Sequence, residues 1–202
     1  MIELILNKKK YQEKTVLFDT ELKLPSCGLY VLTGENMSGK STLLHILGLI
    51  DTDYEGSYSI DNDCFQLKEP KDIDEYRCEN ISMIMPKNNL LTSLSVKENA
   101  VLLLKDRYLE CGFSEKLLRK KASVLSGGEN MIVCLQIELK LNRKIVLLDE
   151  VTSELDDNNC KKTMELVSKL AENRLVVFAT HDSRIEKTNH LAIIGGKINV
   201  LY

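Results

Sequence analysis

The pattern of apolar and polar positions divides the chain into short strands and helices. Strands are predicted where apolar residues are consecutive or alternate, at 2–7, 15–18, 29–33, 56–60, 81–85, 144–148, 175–179, 191–194 and 198–201. Helices are predicted where apolar residues recur every three or four positions, at 39–48, 96–105, 114–121, 130–141 and 156–173. Strands that alternate with helices indicate an α/β fold built on a parallel sheet.

The segment 87–128 differs from its flanks because it contains helical patterns and no strand pattern. We therefore expect a single domain over residues 1–202, in which 1–86 and 129–202 form the core and 87–128 forms a small helical subdomain. A chain of 202 residues is long enough to bury a core without help from disulfides or metal.

The amino-acid composition excludes several classes of protein. Hydrophobic residues make up 44% and charged residues 28%, which excludes a disordered or fibrous chain. The net charge of −3 provides no basic field for nucleic acid. The longest apolar stretch, 43–50, is interrupted by His45 and is far shorter than the ~20 residues of a membrane-spanning helix. The six cysteines form no C-x-x-C pair, so we expect reduced thiols in a soluble, intracellular protein.

A glycine-rich segment between a predicted strand and a predicted helix carries the first candidate chemistry. This segment, which we call the P-loop, matches G-x-x-x-x-G-K-[ST] and consists of Gly34, Glu35, Asn36, Met37, Ser38, Gly39, Lys40 and Ser41, followed by Thr42. Its glycines allow backbone N–H groups to surround phosphate oxygens at a helix N-terminus. Lys40 would reach the β- and γ-phosphates, and the Ser41 hydroxyl would ligate Mg²⁺. The alternative, a chance glycine-rich turn, does not account for the strand before it and the helix after it.

Two acids end the buried strand 144–148. Asp149 would hold Mg²⁺ through water, and Glu150 would orient and deprotonate an attacking water. Alone, an acidic strand end is equally typical of a solvated turn. The P-loop elsewhere in the chain favours the chemical interpretation.

Three further features complete a family pattern. Residues 125–129 read L-S-G-G-E at the head of a helix, which alone would indicate an N-cap, and His181 follows the strand 175–179. Ser153-Glu154-Leu155-Asp156 follows the acidic pair, and Tyr11 lies 23 residues before Gly34. These motifs, in this order and spacing, resemble the ATP-binding cassette (ABC) ATPases over essentially the whole chain.

The resemblance implies a P-loop NTPase core with a parallel sheet, an N-terminal antiparallel β subdomain and a small α-helical subdomain. It also implies ATP and Mg²⁺ as cofactors, with Tyr11 stacked on adenine unless it is an ordinary surface tyrosine. Two chains would pair head to tail, so that the signature residues Ser126, Gly127 and Gly128 of one chain cap the γ-phosphate held by the other. His181 would contact that phosphate, with Glu150 as general base and Asp156 as a link across the dimer.

The resemblance also implies a partner and a location. We expect the ATPase subunit of a membrane transporter, peripheral on the cytoplasmic inner face of the membrane, in a homodimer or heterodimer with a separate permease chain. Residues 47–51 with Gly56 resemble the subgroup that serves lipoprotein release and antimicrobial-peptide export or resistance. The permease would dock around the loop after Met85, including Leu90 and Leu94, where apolar residues should be exposed.

One departure from the pattern opens alternatives. The family places a glutamine that touches Mg²⁺ where this chain has Pro86, which offers no side-chain donor or acceptor. We expect that Asn88 or Asn89 partly substitutes, or that hydrolysis is slow. A poorly hydrolysing regulatory subunit therefore remains an alternative. A soluble cassette acting on DNA or ribosomes is another, although the short 87–128 segment leaves no room for a long coiled coil.

Overall fold

The structure is a computed structural model that describes residues 1–65, 68–87 and 89–201. Its strands form two sheets, a four-stranded sheet in the order β2-β1-β4-β5 and a six-stranded sheet in the order β10-β9-β3-β8-β7-β6. The strands are β1 (Ile2–Tyr11), β2 (Lys14–Leu24), β3 (Gly28–Gly34), β4 (Glu55–Ile60), β5 (Asp63–Cys64), β6 (Ile81–Ile84), β7 (Ile145–Asp149), β8 (Leu175–Ala179), β9 (His190–Ile194) and β10 (Lys197–Leu201). The helices are α1 (Lys40–Leu47), α2 (Pro70–Asn80), α3 (Val96–Leu104), α4 (Glu115–Leu118), α5 (Gly127–Glu138) and α6 (Asp157–Ala171).

The six-stranded sheet is parallel except for β10, which pairs antiparallel with β9. Every residue of β7 and β8 is buried, as the continuous apolar runs predict for strands covered on both faces. Since β3, β8 and β7 are neighbours, the carboxyl ends of these three strands meet at one edge. That edge receives the P-loop, the acidic pair and His181.

The four-stranded sheet is antiparallel and contains the N-terminal β1 and β2. These two strands extend to Tyr11 and Leu24, well beyond the predicted 2–7 and 15–18. Along β1 the buried residues Ile2, Leu4 and Leu6 alternate with less buried ones. The expected α/β fold with an N-terminal antiparallel β subdomain is therefore confirmed.

The short strand β5 and the helix α2 were not predicted. Only Ile73 is buried in α2, so the apolar periodicity that reveals an amphipathic helix is missing there. The predicted helix 130–141 begins earlier, because Ser126 caps α5 and Gly127 is its first residue. The predicted helix 114–121 is reduced to the single turn of α4.

The helical subdomain has a small apolar core of its own. Its members come from α3, α4, their flanking turns and one side of α5, and are Leu90, Val96, Ala100, Leu104, Leu118, Ala122, Val133, Cys134 and Ile137. Met131 and Leu135 of α5 pack instead into the core beneath the parallel sheet. Helix α5 thus contributes residues to both cores. The boundary of the helical subdomain after residue 128 stays a prediction.

The expectation of exposed apolar residues after Met85 is wrong for Leu90. Leu90 is 6% exposed, because it packs into the helical subdomain core, and Leu94 is half-buried. The exposed apolar side chains nearby include Met85, Leu91, Leu102, Leu103 and Leu109. None of the helices in the described ranges is both long enough and apolar enough to cross a membrane.

Candidate functional site

The P-loop connects the end of β3 to the first residue of α1, as the motif requires. Gly39 has a φ of +109°, and a Cβ at this position would come within 2.9 Å of the Leu17 side chain, so only glycine fits. Met37, at the tip of the loop, has a φ of +62° and an 87% exposed side chain. The Met37 side chain therefore lies mostly in solvent.

Two side chains of the P-loop, those of Lys40 and Ser38, bear on whether it can bind a phosphate group. Lys40 is 8% exposed, and its ammonium donates to the carbonyl oxygens of Gly34 at 2.9 Å and Glu35 at 3.1 Å. The Ser38 hydroxyl is buried and has no hydrogen-bond partner among residues 1–65, 68–87 and 89–201. A buried hydroxyl without a partner is costly unless a ligand completes it. A cation and a free hydroxyl beside a helix N-terminus fit phosphate oxygens.

Ser41 and Asp149 form the candidate metal site. The Ser41 hydroxyl donates to Asp149 Oδ2 at 2.8 Å, and Asp149 is 6% exposed at the end of β7. Hydroxyl and carboxylate oxygens are ligands that Mg²⁺ accepts, usually together with water and substrate phosphates. Within the described part of the chain, no three His, Cys, Asp or Glu side chains cluster as a metal site. The donor set therefore fits Mg²⁺ bound together with phosphate.

Glu150 and His181 lie in contact at the ends of the neighbouring strands β7 and β8. His181 Nδ1 is 2.9 Å from Glu150 Oε2, and the His181 backbone N–H donates to the same oxygen at 3.3 Å. The Glu150 side chain is 20% exposed and the His181 side chain 61% exposed, so the pair faces solvent at the edge of the sheet. The structure thus brings together two residues that lie 31 positions apart in the sequence.

Tyr11 lies at the same cavity as the P-loop. The cavity has a volume of about 560 Å³ and is lined by Tyr11, Gln12, Lys14, Val16, Asn36, Met37, Gly39, Lys40, Ser41, Thr42, Asp149 and Glu150. Tyr11 is 46% exposed, and its hydroxyl donates to Asp51 Oδ2 at 2.7 Å. Burial and the Asp51 hydrogen bond raise the pKa of the Tyr11 phenol above its ordinary value. An accessible ring beside a phosphate loop has the placement that adenine stacking requires.

The signature residues lie elsewhere in the chain. Ser126 is the N-cap of α5, where its hydroxyl accepts from the Glu129 N–H at 3.1 Å while the Glu129 carboxylate accepts from the Ser126 N–H at 2.9 Å. None of Ser126, Gly127 and Gly128 lines the P-loop cavity of this chain. Asp156 similarly caps α6 by accepting from the Asn159 N–H at 2.9 Å. Gly127 instead lines a second cavity, which it shares with Glu150, so the signature and the P-loop of one chain face different cavities.

A family model described as "ABC transporter" matches residues 17–153, which include the P-loop, the signature and the acidic pair. The chain belongs to the ABC transporter family. The family expected from the motifs is thereby confirmed.

Relatives of this ABC cassette include an export ATP-binding/permease protein and an import ATP-binding protein. The macrolide export ATP-binding/permease protein MacB of Neisseria meningitidis serogroup A is 32% identical over 186 residues, covering 84% of this chain and 29% of MacB. The methionine import ATP-binding protein MetN of Campylobacter jejuni is 31% identical over 219 positions, covering 93% of this chain and 65% of MetN. The chain thus spans under a third of MacB and under two thirds of MetN.

Solved structures match over nearly the full chain. An ATP-binding cassette solved as a dimer in a post-hydrolysis state, bound to ADP and Pi, has a TM-score of 0.85 at 27% identity. That match covers 98% of this chain and 97% of that chain. A second dimeric structure, of a bacterial ABC transporter cassette, has a TM-score of 0.84 at 28% identity.

In the loop after β6, this ABC cassette has Pro86 at the position where a glutamine was expected. Pro86 is exposed, and the Asn89 side chain closes the turn around it by accepting from the Met85 N–H at 2.8 Å and donating to the Met85 carbonyl at 2.6 Å. Lys87 pairs with Glu154 at 2.7 Å. The side-chain oxygen and nitrogen of Asn89 are therefore both hydrogen-bonded to the Met85 backbone. Asn88 lies outside the described residues.

Sequence reasoning missed two residues that contact Tyr11, namely Lys9 and Asp51. Lys9 lies in the run Lys8-Lys9-Lys10, which is typical of a solvated segment, yet it is 2% exposed. The inward-facing pattern of β1 at Ile2, Leu4 and Leu6 was the available signal, but it shifts by one residue before Lys9. Only the folded chain shows which lysine is buried.

Proposed function

We propose that this cassette binds ATP with Mg²⁺ and hydrolyses it in a head-to-tail dimer that drives a separate permease. One observation carries the proposal. At one edge of the sheet, the buried Lys40 lies beside the Ser41–Asp149 pair at 2.8 Å and the Glu150–His181 pair at 2.9 Å. Cation, metal ligands and base are the groups that phosphoryl transfer to water needs.

The residues divide the chemistry among them. The P-loop backbone, Ser38 and Lys40 bind and orient the β- and γ-phosphates, and Tyr11 stacks on the base. Ser41 and Asp149 hold Mg²⁺, which neutralises charge on the phosphate oxygens when bound. Glu150 accepts a proton from the attacking water at its carboxylate. His181, in contact with Glu150, orients that carboxylate and contacts the γ-phosphate.

A second copy supplies the missing half of each site. The separation of Ser126, Gly127 and Gly128 from the P-loop cavity of the same chain supports this assembly, as do the dimeric cassettes among the structural neighbours. The α5 N-terminus of one chain faces the γ-phosphate held by the other, where its partial positive charge is favourable. Asp156, which caps α6, lies on the same dimer interface.

The names of the relatives support a permease partner and a location at the membrane. MacB carries "export ATP-binding/permease" in its name, and residues 47–51 with Gly56 resemble the same group, so we propose export or release of a peptide, lipoprotein or similar substrate. The exposed side chains of Leu91, Leu102 and Leu103 offer an apolar docking surface. The cassette would then lie on the cytoplasmic inner face of the membrane.

Pro86 favours a second candidate function, a cassette that binds ATP but hydrolyses it poorly. Asn89 supports this alternative because its side-chain amide is hydrogen-bonded to Met85. The contact between Glu150 and His181 opposes it. Hydrolysis therefore has to be measured directly.

The test is steady-state ATP hydrolysis by the purified chain, with size-exclusion chromatography with and without ATP. Glu150→Gln should lower turnover by about 100-fold or more and trap an ATP-dependent dimer. The matched control is Glu165→Gln, an exposed glutamate on α6 outside the P-loop cavity, which should behave as the native chain. Tight ATP binding with no turnover in the native chain would favour the second candidate instead.

A further inference from the structure

Tyr11 forms a cluster with two other side chains, those of Lys9 and Asp51. Lys9 and Tyr11 lie two positions apart on β1, and Asp51 follows the end of α1. The Lys9 ammonium is 2.8 Å from Asp51 Oδ1, and the Tyr11 hydroxyl donates to Asp51 Oδ2 at 2.7 Å. The same ammonium lies over the Tyr11 ring, 4.6 Å from its centroid. One carboxylate and one ammonium thus hold the tyrosine at two points.

The burial of Lys9 shows that the cluster is built into the fold. Lys8 is half-buried and Lys10 exposed, whereas Lys9 is 2% exposed. A buried ammonium is unfavourable unless it is paired and hydrogen-bonded. Besides Asp51, Lys9 donates to the Asp53 carbonyl at 2.6 Å, and the Asp53 carboxylate is 3.8 Å away. Both residues that pair with the Lys9 ammonium, Asp51 and Asp53, therefore come from the segment that follows α1.

Asp51 is ionised in this setting. Its partial burial alone would favour the neutral acid, but hydrogen bonds from Lys9 and Tyr11 outweigh that effect and lower the pKa of Asp51. An ionised acceptor makes a stronger hydrogen bond to the phenol than a neutral one. The orientation of the Tyr11 ring is therefore strongly constrained.

The position of Lys9 determines which face of the Tyr11 ring a ligand can reach. The Lys9 ammonium occupies one face, and Tyr11 borders the P-loop cavity together with Gly39 and Thr42. A flat group that enters this cavity can stack only on the other face. Asp51 follows the C-terminus of α1 and Lys40 lies at its N-terminus, so the cluster and the P-loop are joined through the same helix.

We propose that Lys9 and Asp51 are positioning residues for nucleotide binding, which fix the Tyr11 ring so that a purine base stacks on its open face. This inference rests on the proposed function, because it needs ATP as the occupant of the cavity. Preorganisation of the ring adds affinity for the base and none for the phosphates, since Lys9 and Asp51 contact the tyrosine rather than the P-loop. The ratio between ATP affinity and tripolyphosphate affinity isolates this effect.

The experiment measures dissociation constants for MgATP and for inorganic tripolyphosphate by calorimetry in the Glu150→Gln chain, which retains the ligand. Tyr11→Ala removes the ring, Tyr11→Phe removes only the hydroxyl, and Asp51→Asn and Lys9→Met remove the two supports. We expect Tyr11→Ala to weaken ATP binding by about tenfold or more, and Tyr11→Phe and Asp51→Asn by about threefold to tenfold. Tripolyphosphate binding should stay within about twofold in all of them.

Controls separate positioning from general damage. Tyr108→Phe is matched, because a lysine also lies over that ring at 5.6 Å but in the helical subdomain, and both affinities should stay unchanged. Lys9→Met leaves Asp51 without its buried partner and can unfold the chain. Tyr11→Phe keeps the Lys9–Asp51 pair, so the inference is still tested if Lys9→Met does not fold.

Three outcomes would overturn the inference in distinguishable ways. If Tyr11→Ala weakens only ATP but Tyr11→Phe and Asp51→Asn bind like the parent, the ring stacks without its supports, and only the positioning role is wrong. If Asp51→Asn weakens both ligands equally, the cluster supports the P-loop helix instead. If Tyr11→Ala leaves ATP binding unchanged, the base does not stack on Tyr11, and that part of the proposed function fails too.

Discussion

Glu138, the last residue of α5, is a buried carboxyl group that should make stability depend on pH. Its side chain is 5% exposed, lies 2.7 Å from the Ser82 hydroxyl and 3.4 Å from Arg174 Nη1. Burial raises the pKa of Glu138 from 4.5 to about 7, against the opposing effects of Ser82, Arg174 and Arg143. The perturbation is Glu138→Gln, which keeps a hydrogen-bonding side chain of the same size and removes the titration.

The sign and size of the effect follow from proton linkage. Between pH 4.5 and 7 the unfolded chain has lost this proton while the folded chain still holds it, so the free energy of unfolding falls as pH rises. A pKa difference of about 2.5 units corresponds to about 3 kcal/mol in total, at about 1.4 kcal/mol per unit. About 2.5 kcal/mol of that loss should occur between pH 5 and pH 8. Glu138→Gln should lack it.

Urea unfolding of both chains at pH 5, 6, 7 and 8 measures the difference. Glu138→Gln should gain about 2.5 kcal/mol relative to the native chain across this range, with the increase levelling off above pH 7. Glu165→Gln, an exposed substitution on α6, should show no such trend. Parallel stability curves for the native chain and Glu138→Gln would refute the reasoning, because Glu138 would then ionise alike in both states.

Two further predictions concern single positions. Gly56→Ala should destabilise the chain by about 3 kcal/mol or more in thermal or urea unfolding, because Gly56 has a φ of +151° and a Cβ there would lie 2.0 Å from the Ile5 carbonyl oxygen. Gly195→Ala, with a φ of +56° but open space around it, should cost much less. Pro86→Gln should raise the rate of ATP hydrolysis by about threefold or more and alter its Mg²⁺ dependence, since it restores an amide at the site. An unchanged rate and Mg²⁺ dependence would show that position 86 does not limit hydrolysis.

Much of the fold was predictable because its signals are local. Continuous apolar runs predicted β7 and β8, and these strands are buried throughout. Helix α2 was missed because it buries little more than Ile73, and a polar helix has no apolar stripe to detect. The lengths of β1 and β2 were underestimated because their outer halves are stabilised by pairing with each other.

The sequence by itself determined the family and predicted the main residues of the candidate site, from Lys40 to Glu150 and His181. Such motifs are contiguous, and their chemistry follows from residue type and from their position at a strand end or helix start. Only the tertiary structure decided that Lys9 is the buried lysine of three, that Leu90 is buried while Leu91 is exposed, and that Asn89 closes the turn at Pro86. The physical reason is that the burial of one side chain depends on partners distant in sequence, such as Asp51 for Lys9.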